Sequence, residues 1–244
     1  MPAAGRATKS LNRAIGKAIH DYAMVRDGDR ILVGLSGGAD SLSLLWMLAD
    51  RRRRVPVRYD LAAAHLDLGF GGESAGDALR AFCSRLGVPL RVELTDYGIQ
   101  GHSPSNRENP CFLCARLRRK RLFEIADELG CRTLALGHNK DDIIETLFLN
   151  MFYAGEISTM MPAQTLFDGR FAVIRPMAYA GKDVINRFAR DQQLPVAENP
   201  CPTSKRSRRQ SVKQMLQELY RGNRKIKGNI FHAMRNVKSE YLLK

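Results

Sequence analysis

The chain has 244 residues, 44% of them hydrophobic, and its 39 Lys and Arg against 25 Asp and Glu give a net charge of +14. That apolar content is enough for one large domain, or one domain with a small appendage, which excludes a disordered chain. No run reaches the roughly 18 apolar residues of a membrane span, and the basic surplus suits a polyanionic partner.

In chain order, residues 1–29 read as an N-terminal helix. Leu11, Ile15, Ile19 and Tyr22 recur on one packed helical face, although the acid-poor composition superficially resembles a transit peptide. Apolar strands are predicted at 30–35, 60–65, 90–94, 133–137 and 171–175, with helical patterns at about 41–51, 74–86, 112–129 and 141–153. This alternation predicts an α/β fold, a Rossmann-like parallel sheet with helices on both faces and every strand C-terminus at one rim. The domain is expected over 30–195. Within it Gly98 to Pro110, rich in Gly, Ser, Asn and Pro, reads as a mobile loop. Residues 196–244 turn polar and basic, with a helical run from Arg208 to Tyr220, and read as a small helical appendage carrying Cys201.

Two predicted strands end in glycine turns. Ser36-Gly37-Gly38-Ala39-Asp40-Ser41 follows the apolar run 30–35. Its glycines let the backbone approach a polyanion, and the helix starting near Ser41 presents a positive dipole end, a setting that suits pyrophosphate. The segment matches neither G-x-x-x-x-G-K-[ST] nor G-x-G-x-x-G, which disfavours a P-loop NTPase and a dinucleotide-binding dehydrogenase. A structural turn without a ligand is the plain alternative. Residues 133–146 repeat the pattern, an apolar strand followed by Gly137-His138-Asn139-Lys140-Asp141-Asp142. Ligands of open parallel sheets bind outside strand C-termini, so the two loops could face one nucleotide from opposite sides. Cys111 and Cys114 have the spacing that lets two thiolates reach one metal or cluster. Cys83 and Cys131 lie within helical and strand patterns and read as core fillers. An odd count of five cysteines without an export signal fits reduced thiols and a cytoplasmic setting.

Together, Ser36 to Ser41 and Gly137 to Thr146 resemble the PP-loop family of ATP pyrophosphatases, which split ATP between the α and β phosphates and leave AMP on a carbonyl oxygen. The stretches Pro110 to Arg119 and Glu145 to Tyr153 are similar in particular to the tRNA 2-thiocytidine synthetase branch, and the likeness spans roughly residues 10 to 240. The resemblance implies an ATP-dependent tRNA sulfurtransferase. Such an enzyme adenylates the C2 carbonyl of a cytidine in the anticodon loop, at tRNA position 32, and exchanges the oxygen for sulfur, releasing AMP and pyrophosphate. It implies a [4Fe-4S] cluster held by Cys111, Cys114 and Cys201, the last set between Pro200 and Pro202. Many relatives carry a further cysteine where this chain has Ser204.

Carried over to matching positions, the resemblance gives the pyrophosphate to Ser36, Gly37, Gly38 and Ser41, and a Mg2+ ion to Asp40. His65 would face the adenosine, and Gly137 and His138 the AMP portion. Asp141 or Asp142 would orient metal or act as a base toward the cytidine, and Arg118 would steady the adenylate. The fourth loop position, often Lys in relatives, is Ala39, which shifts phosphate neutralisation to Mg2+ and nearby arginines. The expected partners are the tRNA anticodon arm, met by basic clusters at 51–54, 116–121, 205–209 and 221–227, and a sulfide donor such as a cysteine desulfurase. No membrane partner is expected, and a homodimer is one assembly open to the chain. The competing readings are a lysidine synthetase-like ligase using an amine, thiolation of another base, a structural zinc completed by Cys201 and His102, and a tRNA-binding protein with a degenerate loop.

Overall fold

The computed structural model describes residues 5–71, 76–203 and 207–243. Its elements run α1 (Arg6–Asp21), β1 (Asp29–Leu35), α2 (Ala39–Arg52), β2 (Tyr59–Asp67), α3 (Gly76–Leu86), β3 (Leu90–Leu94), α4 (Tyr97–His102), α5 (Pro110–Glu128), β4 (Thr133–Ala135), α6 (Lys140–Tyr153), β5 (Ala163–Leu166), β6 (Phe171–Ile174), α7 (Lys182–Asp191), α8 (Arg208–Gly222) and α9 (Ile226–Ala233). Two units form, one of Met1–Asn139 with Met161–Cys201 and one of Lys140–Met160 with Pro202–Lys244.

In the first unit the strand order is β3-β2-β1-β4-β6-β5. All pairings are parallel except that of β5 with β6. Alternation along β1 divides the core. Ile31, Val33 and Leu35 join the cluster built with α1, α2, α3 and α7. Leu32 points to the opposite face, where Leu122, Ile125 and Ala126 of α5 cover it. α1 earns its place through Leu11, Ile15 and Ala18, all fully buried, which is the packed helical face read from the sequence.

The chain winds outward from β1 through β2 to β3, then returns by α5 to lay β4 on the other side of β1. β1 and β4 therefore flank the topological switch point, and the turns after them open at the same crevice. This is the parallel α/β sheet expected, with one addition. β5 adds an antiparallel edge, turned by Phe167 and Asp168 with φ of +53° each and Gly169 with φ of +90°. The segment expected to be a mobile loop instead contains α4. Its Gly101 lies so close to α5 that an added Cβ would stand 3.0 Å from the Pro110 carbonyl and 3.5 Å from Cys114 Cβ.

The second half of α5 is tied to β3 by ion pairs. Arg121 donates to both oxygens of Glu93 at 2.6 and 2.8 Å, to Glu124 at 2.9 Å and to Glu128 at 3.0 Å. The Glu93 carboxyl is held below its ordinary value chiefly by that Arg121 bond.

In the second unit, α6 and α8 pack through Ile144, Val212 and Leu216, and Ile230 and Phe231 of α9 extend the cluster. Arg208 stacks over the Tyr153 ring at 4.6 Å. By sequence this unit holds thirteen Lys and Arg against six Asp and Glu, half of the chain's net +14. Of the basic run 205–209, Lys205 and Arg206 lie outside the described residues, as does Ser204. Among the described residues no helix is long and apolar enough to cross a membrane.

Candidate active site

The first loop has the shape its glycines allow. Gly37 takes φ of +79°, a left-handed conformation that costs glycine little. Gly38 is the N-cap of α2 and supplies no side-chain cap, so the first N–H groups of the helix remain available to an anion. The two hydroxyls brace the turn: Ser36 N–H donates to Ser41 Oγ at 3.1 Å, and Ser41 Oγ donates to the Gly38 carbonyl at 3.1 Å. The Gly38 N–H reaches Ser36 Oγ at 3.3 Å.

The second loop lies directly against the first. A Cβ on Gly137 would stand 2.9 Å from Ser41 N and 3.1 Å from Ser41 Cα, closer than a side chain tolerates. Next to it Asn139, buried at 1% exposure, donates to Asp40 Oδ1 at 3.4 Å. Lys182, the first residue of α7, forms an ion pair with the other Asp40 oxygen. The loop lacks a cation of its own at Ala39, and α7 brings one to it. His65, read as an adenosine contact, is 7% exposed, and its Nδ1–H donates to the Leu35 carbonyl at 2.9 Å, tying the ends of β1 and β2 just before the loop.

His138 meets Arg175, the residue that follows β6, whose Nε–H donates to His138 Nδ1 at 3.3 Å. Lys182 and Arg175 lie outside the motifs read from the sequence, and Asn139, inside the second motif, is given no role there. Arg175 carried a usable signal, since it is a charged residue closing an apolar strand at the same rim as the two loops.

The cysteines gather around α4 and the start of α5. Asn109 caps α5 by accepting from the N–H of Cys111 and of Phe112, and Cys111 and Cys114 share one face of its first turn. Cys111 is exposed, Cys114 buried and Cys201 half-buried. The Cys114 thiol is pushed up, chiefly by burial, with the Arg118 charge one turn along the helix pulling it down and Cys201 and Cys111 pushing it up again. Cys201 Sγ also stands 4.0 Å from His102 Nε2. The segment before Cys201 is fastened to the phosphate loop, with Ala197 N–H donating to the Gly37 carbonyl at 3.0 Å. Cys83 and Cys131 are buried away from this set, in the cores of the two sheet faces.

Among the described residues no three His, Cys, Asp or Glu side chains are arranged to hold a metal ion. The donor set near α4 and the start of α5, three thiols with His102 beside Cys201, is of the soft chemistry that an iron–sulfur cluster takes.

Asp141 and Asp142 open α6 in the second unit. Lys227 pairs with Asp141, and Arg209 lies 3.9 Å from Asp142 and 3.3 Å from Glu145. Burial, and then the neighbouring Asp142 charge, push the Glu145 carboxyl up.

A family described as a PP-loop domain matches residues 7–219. The chain is 41% identical over 238 residues to a tRNA-cytidine(32) 2-sulfurtransferase of Pelobacter propionicus, covering 96% of this chain and 88% of the relative. Its identity to a protein of the same name from Geobacter sulfurreducens is 39% over 238 residues, covering 96% and 92%. The solved U34-tRNA thiolase NcsA from Methanococcus maripaludis, with its [4Fe-4S] cluster, superposes with a TM-score of 0.77 at 24% identity, over 97% of this chain and 80% of that one. That likeness speaks for the fold. The match to curated relatives along nearly their whole length goes further, and it places the chain in the PP-loop family, among the tRNA-cytidine(32) 2-sulfurtransferases.

Proposed function

We propose that this chain adenylates the C2 carbonyl of cytidine 32 in a tRNA anticodon loop and replaces that oxygen with sulfur. The observation that carries the reading is the Ala197–Gly37 hydrogen bond, which fastens the segment leading to Cys201 onto the Ser36–Ser41 loop and supports an ATP site beside a thiol site. In the first half-reaction the cytidine O2 bonds to the α phosphorus, and the electron pair of the α–β bridging bond leaves with pyrophosphate. In the second, sulfide bonds to C2, AMP departs with the original oxygen, and the sulfur loses its proton to give 2-thiocytidine. Sulfide is already at the reduction level of the product, so no electrons are required.

The N–H groups from Gly38 onward hold the pyrophosphate. Asp40 would hold a Mg2+ ion, which would supply charge neutralisation at the phosphates, and Lys182, now paired with Asp40, stands where it can replace the cation that Ala39 lacks. Cys111, Cys114 and Cys201 are the residues that would hold a [4Fe-4S] cluster. Such a group, left with one iron free of protein ligands, supplies a Lewis acid that keeps sulfide deprotonated. Arg118 steadies negative charge beside these thiols, and Asp141 or Asp142 serves the cytidine. The basic second unit receives the anticodon arm, a soluble cysteine desulfurase supplies sulfide in the cytoplasm, and either a monomer or a homodimer can present these surfaces.

The deciding experiment incubates anaerobically reconstituted protein with unmodified tRNA, ATP and sulfide, then digests the tRNA and quantifies nucleosides beside AMP and pyrophosphate. One 2-thiocytidine per AMP is expected. A cytidine adduct with an amine, or AMP formed without a thiolated base, overturns the reading.

A further inference from the structure

The end of α6 holds apolar side chains in water. Met151, Phe152 and Tyr153 are consecutive residues of its last turn, at 42%, 50% and 50% exposure, and Ile157 follows at 65%. Successive helix residues point about 100° apart, so three apolar neighbours cannot all face one core. The inward positions of α6 are taken by Ile144 and Phe148, which join Val212 and Leu216. The exposure is not that of a loose end. Gly155, with φ of +68°, turns the chain back, and the Ala154 and Glu156 N–H groups both donate to the Asn150 carbonyl, at 2.9 and 3.2 Å. Asn150 Nδ2 donates to the Ser158 carbonyl at 3.0 Å, and Thr159 Oγ1 to the Ile143 carbonyl at 2.6 Å. Phe152 rests edge-on against Phe148, with ring centroids 5.5 Å apart. Apolar surface residues scattered singly need no explanation, whereas a cluster held in place marks a contact surface.

Arg208 identifies what this surface meets. Its guanidinium lies over the Tyr153 ring, and among the described residues it pairs with no carboxylate. An arginine stacked on one exposed ring, beside a second exposed ring, in a unit whose thirteen basic and six acidic residues leave it strongly positive, is the chemistry that receives a nucleobase together with its phosphate. A second copy of this chain would bring a like-charged unit to the same face, which disfavours it as the occupant. We propose that Phe152 and Tyr153, with Arg208, form a stacking platform for an unpaired base of the tRNA loop. This contact is distinct from the phosphate contacts of the basic clusters. Along α6 the axial rise from Asp141 to Tyr153 is about 18 Å. The base held here is therefore a loop neighbour of the target cytidine and not the cytidine itself, which Asp141 or Asp142 serves at the opposite end of the helix. Duplex RNA keeps its bases stacked on one another, so the platform selects loops over stems.

This inference rests on the proposed tRNA substrate and is tested apart from the reaction, without ATP or sulfide. Fluorescence anisotropy on the full-length protein compares an unmodified tRNA transcript with a blunt RNA duplex of the same number of nucleotides, for wild type, Tyr153→Ala, Tyr153→Leu, Tyr153→Phe and Phe152→Ala. Tyr153→Ala and Tyr153→Leu should each weaken tRNA binding roughly ten-fold, leave the duplex within about two-fold of wild type, and leave the slope of log affinity against log salt unchanged, since no charge is lost. Tyr153→Phe should match wild type, because the ring and not the hydroxyl does the stacking. Unchanged tRNA affinity in both Tyr153→Leu and Phe152→Ala overturns the proposal. An equal loss for tRNA and duplex also overturns it, marking the rings as props for the arginines of α8. A Tyr153→Leu protein that sediments as a monomer where wild type, free of RNA, is a dimer would give the face to a second copy and overturn it too. Tyr153-dependent tRNA binding by a protein that makes no 2-thiocytidine would sink the reaction and leave the platform standing.

Discussion

Two arginines of one basic run in α5, Arg118 and Arg121, look alike in sequence and do different work. The first turns of the helix carry Cys111, Cys114 and Arg118, and Arg118 bonds the Cys114 thiol. One turn further, Arg121 is enclosed by Glu93, Glu124 and Glu128 and holds the helix to β3. Both arginines belong to the run 116–121, in which every residue but Leu117 is basic. The role of each arginine is decided by which side of the helix it occupies and what stands there, and density of charge does not reveal it.

The sharpest way to break this contrast is at the thiols. Replacing Cys111, Cys114 or Cys201 singly with Ala should abolish 2-thiocytidine formation while ATP affinity stays near wild type, read by nucleoside analysis beside ATP titration. Product from all three variants would remove the cluster mechanism. Arg118→Ala should lower thiolation by roughly ten-fold or more, the scale of one charged contact in a site, with no fall in melting temperature. A comparable step is expected at the neighbouring loop. Lys182→Met should raise the KM for ATP roughly ten-fold, and adding Ala39→Lys should restore it by returning a cation to the loop. Failure of the double variant to recover would limit Lys182 to holding α7.

At the other arginine of the run, Arg121→Gln should leave chemistry intact and cost about 1 kcal/mol, a melting shift of roughly 2–4 °C. The pH dependence gives its sign. Because the folded Glu93 carboxyl is depressed, its stabilising share is present above the ordinary value of 4.5 and is lost as pH falls from there through the folded value. Arg121→Gln should flatten that acid limb, seen in denaturation midpoints between pH 5 and about 3. An unaltered limb would mean that Glu93 is served by other cations.

The features legible in the sequence are those whose parts lie within a few residues of one another. The Ser36–Ser41 turn, the Gly137 turn and the Cys111–Cys114 pair each combine a backbone rule with a side-chain type at fixed spacing. Lys182 was not legible, because 142 residues separate it from Asp40 and a lysine at a helix start has no distinguishing pattern. His65 stands at the expected strand end, and its Nδ1–H donates to the Leu35 carbonyl, a partner that only the register of β1 and β2 supplies. β5 escaped notice because of its four residues only Ala163 and Leu166 are apolar, and its pairing with β6 makes it a strand. The domain reading separated 196–244 as a segment of its own, whereas the contacts group α6 with α8 and α9.

The grouping of α6 with the C-terminal helices bears on how the protein can be cut. The chain leaves the first unit after Asn139, returns at Met161 and leaves again after Cys201. A protein ending at Cys201 would keep the phosphate loop, Lys182, Arg175 and all three cysteines. It would also retain α6 with Ile144 and Phe148 stripped of Val212, Leu216 and Ile230. Such a fragment is a poor candidate for a minimal enzyme, because an uncovered apolar stripe in the middle of the chain invites self-association. Removing the tail therefore damages an internal helix, and a soluble shortened form would have to lose 140–160 as well.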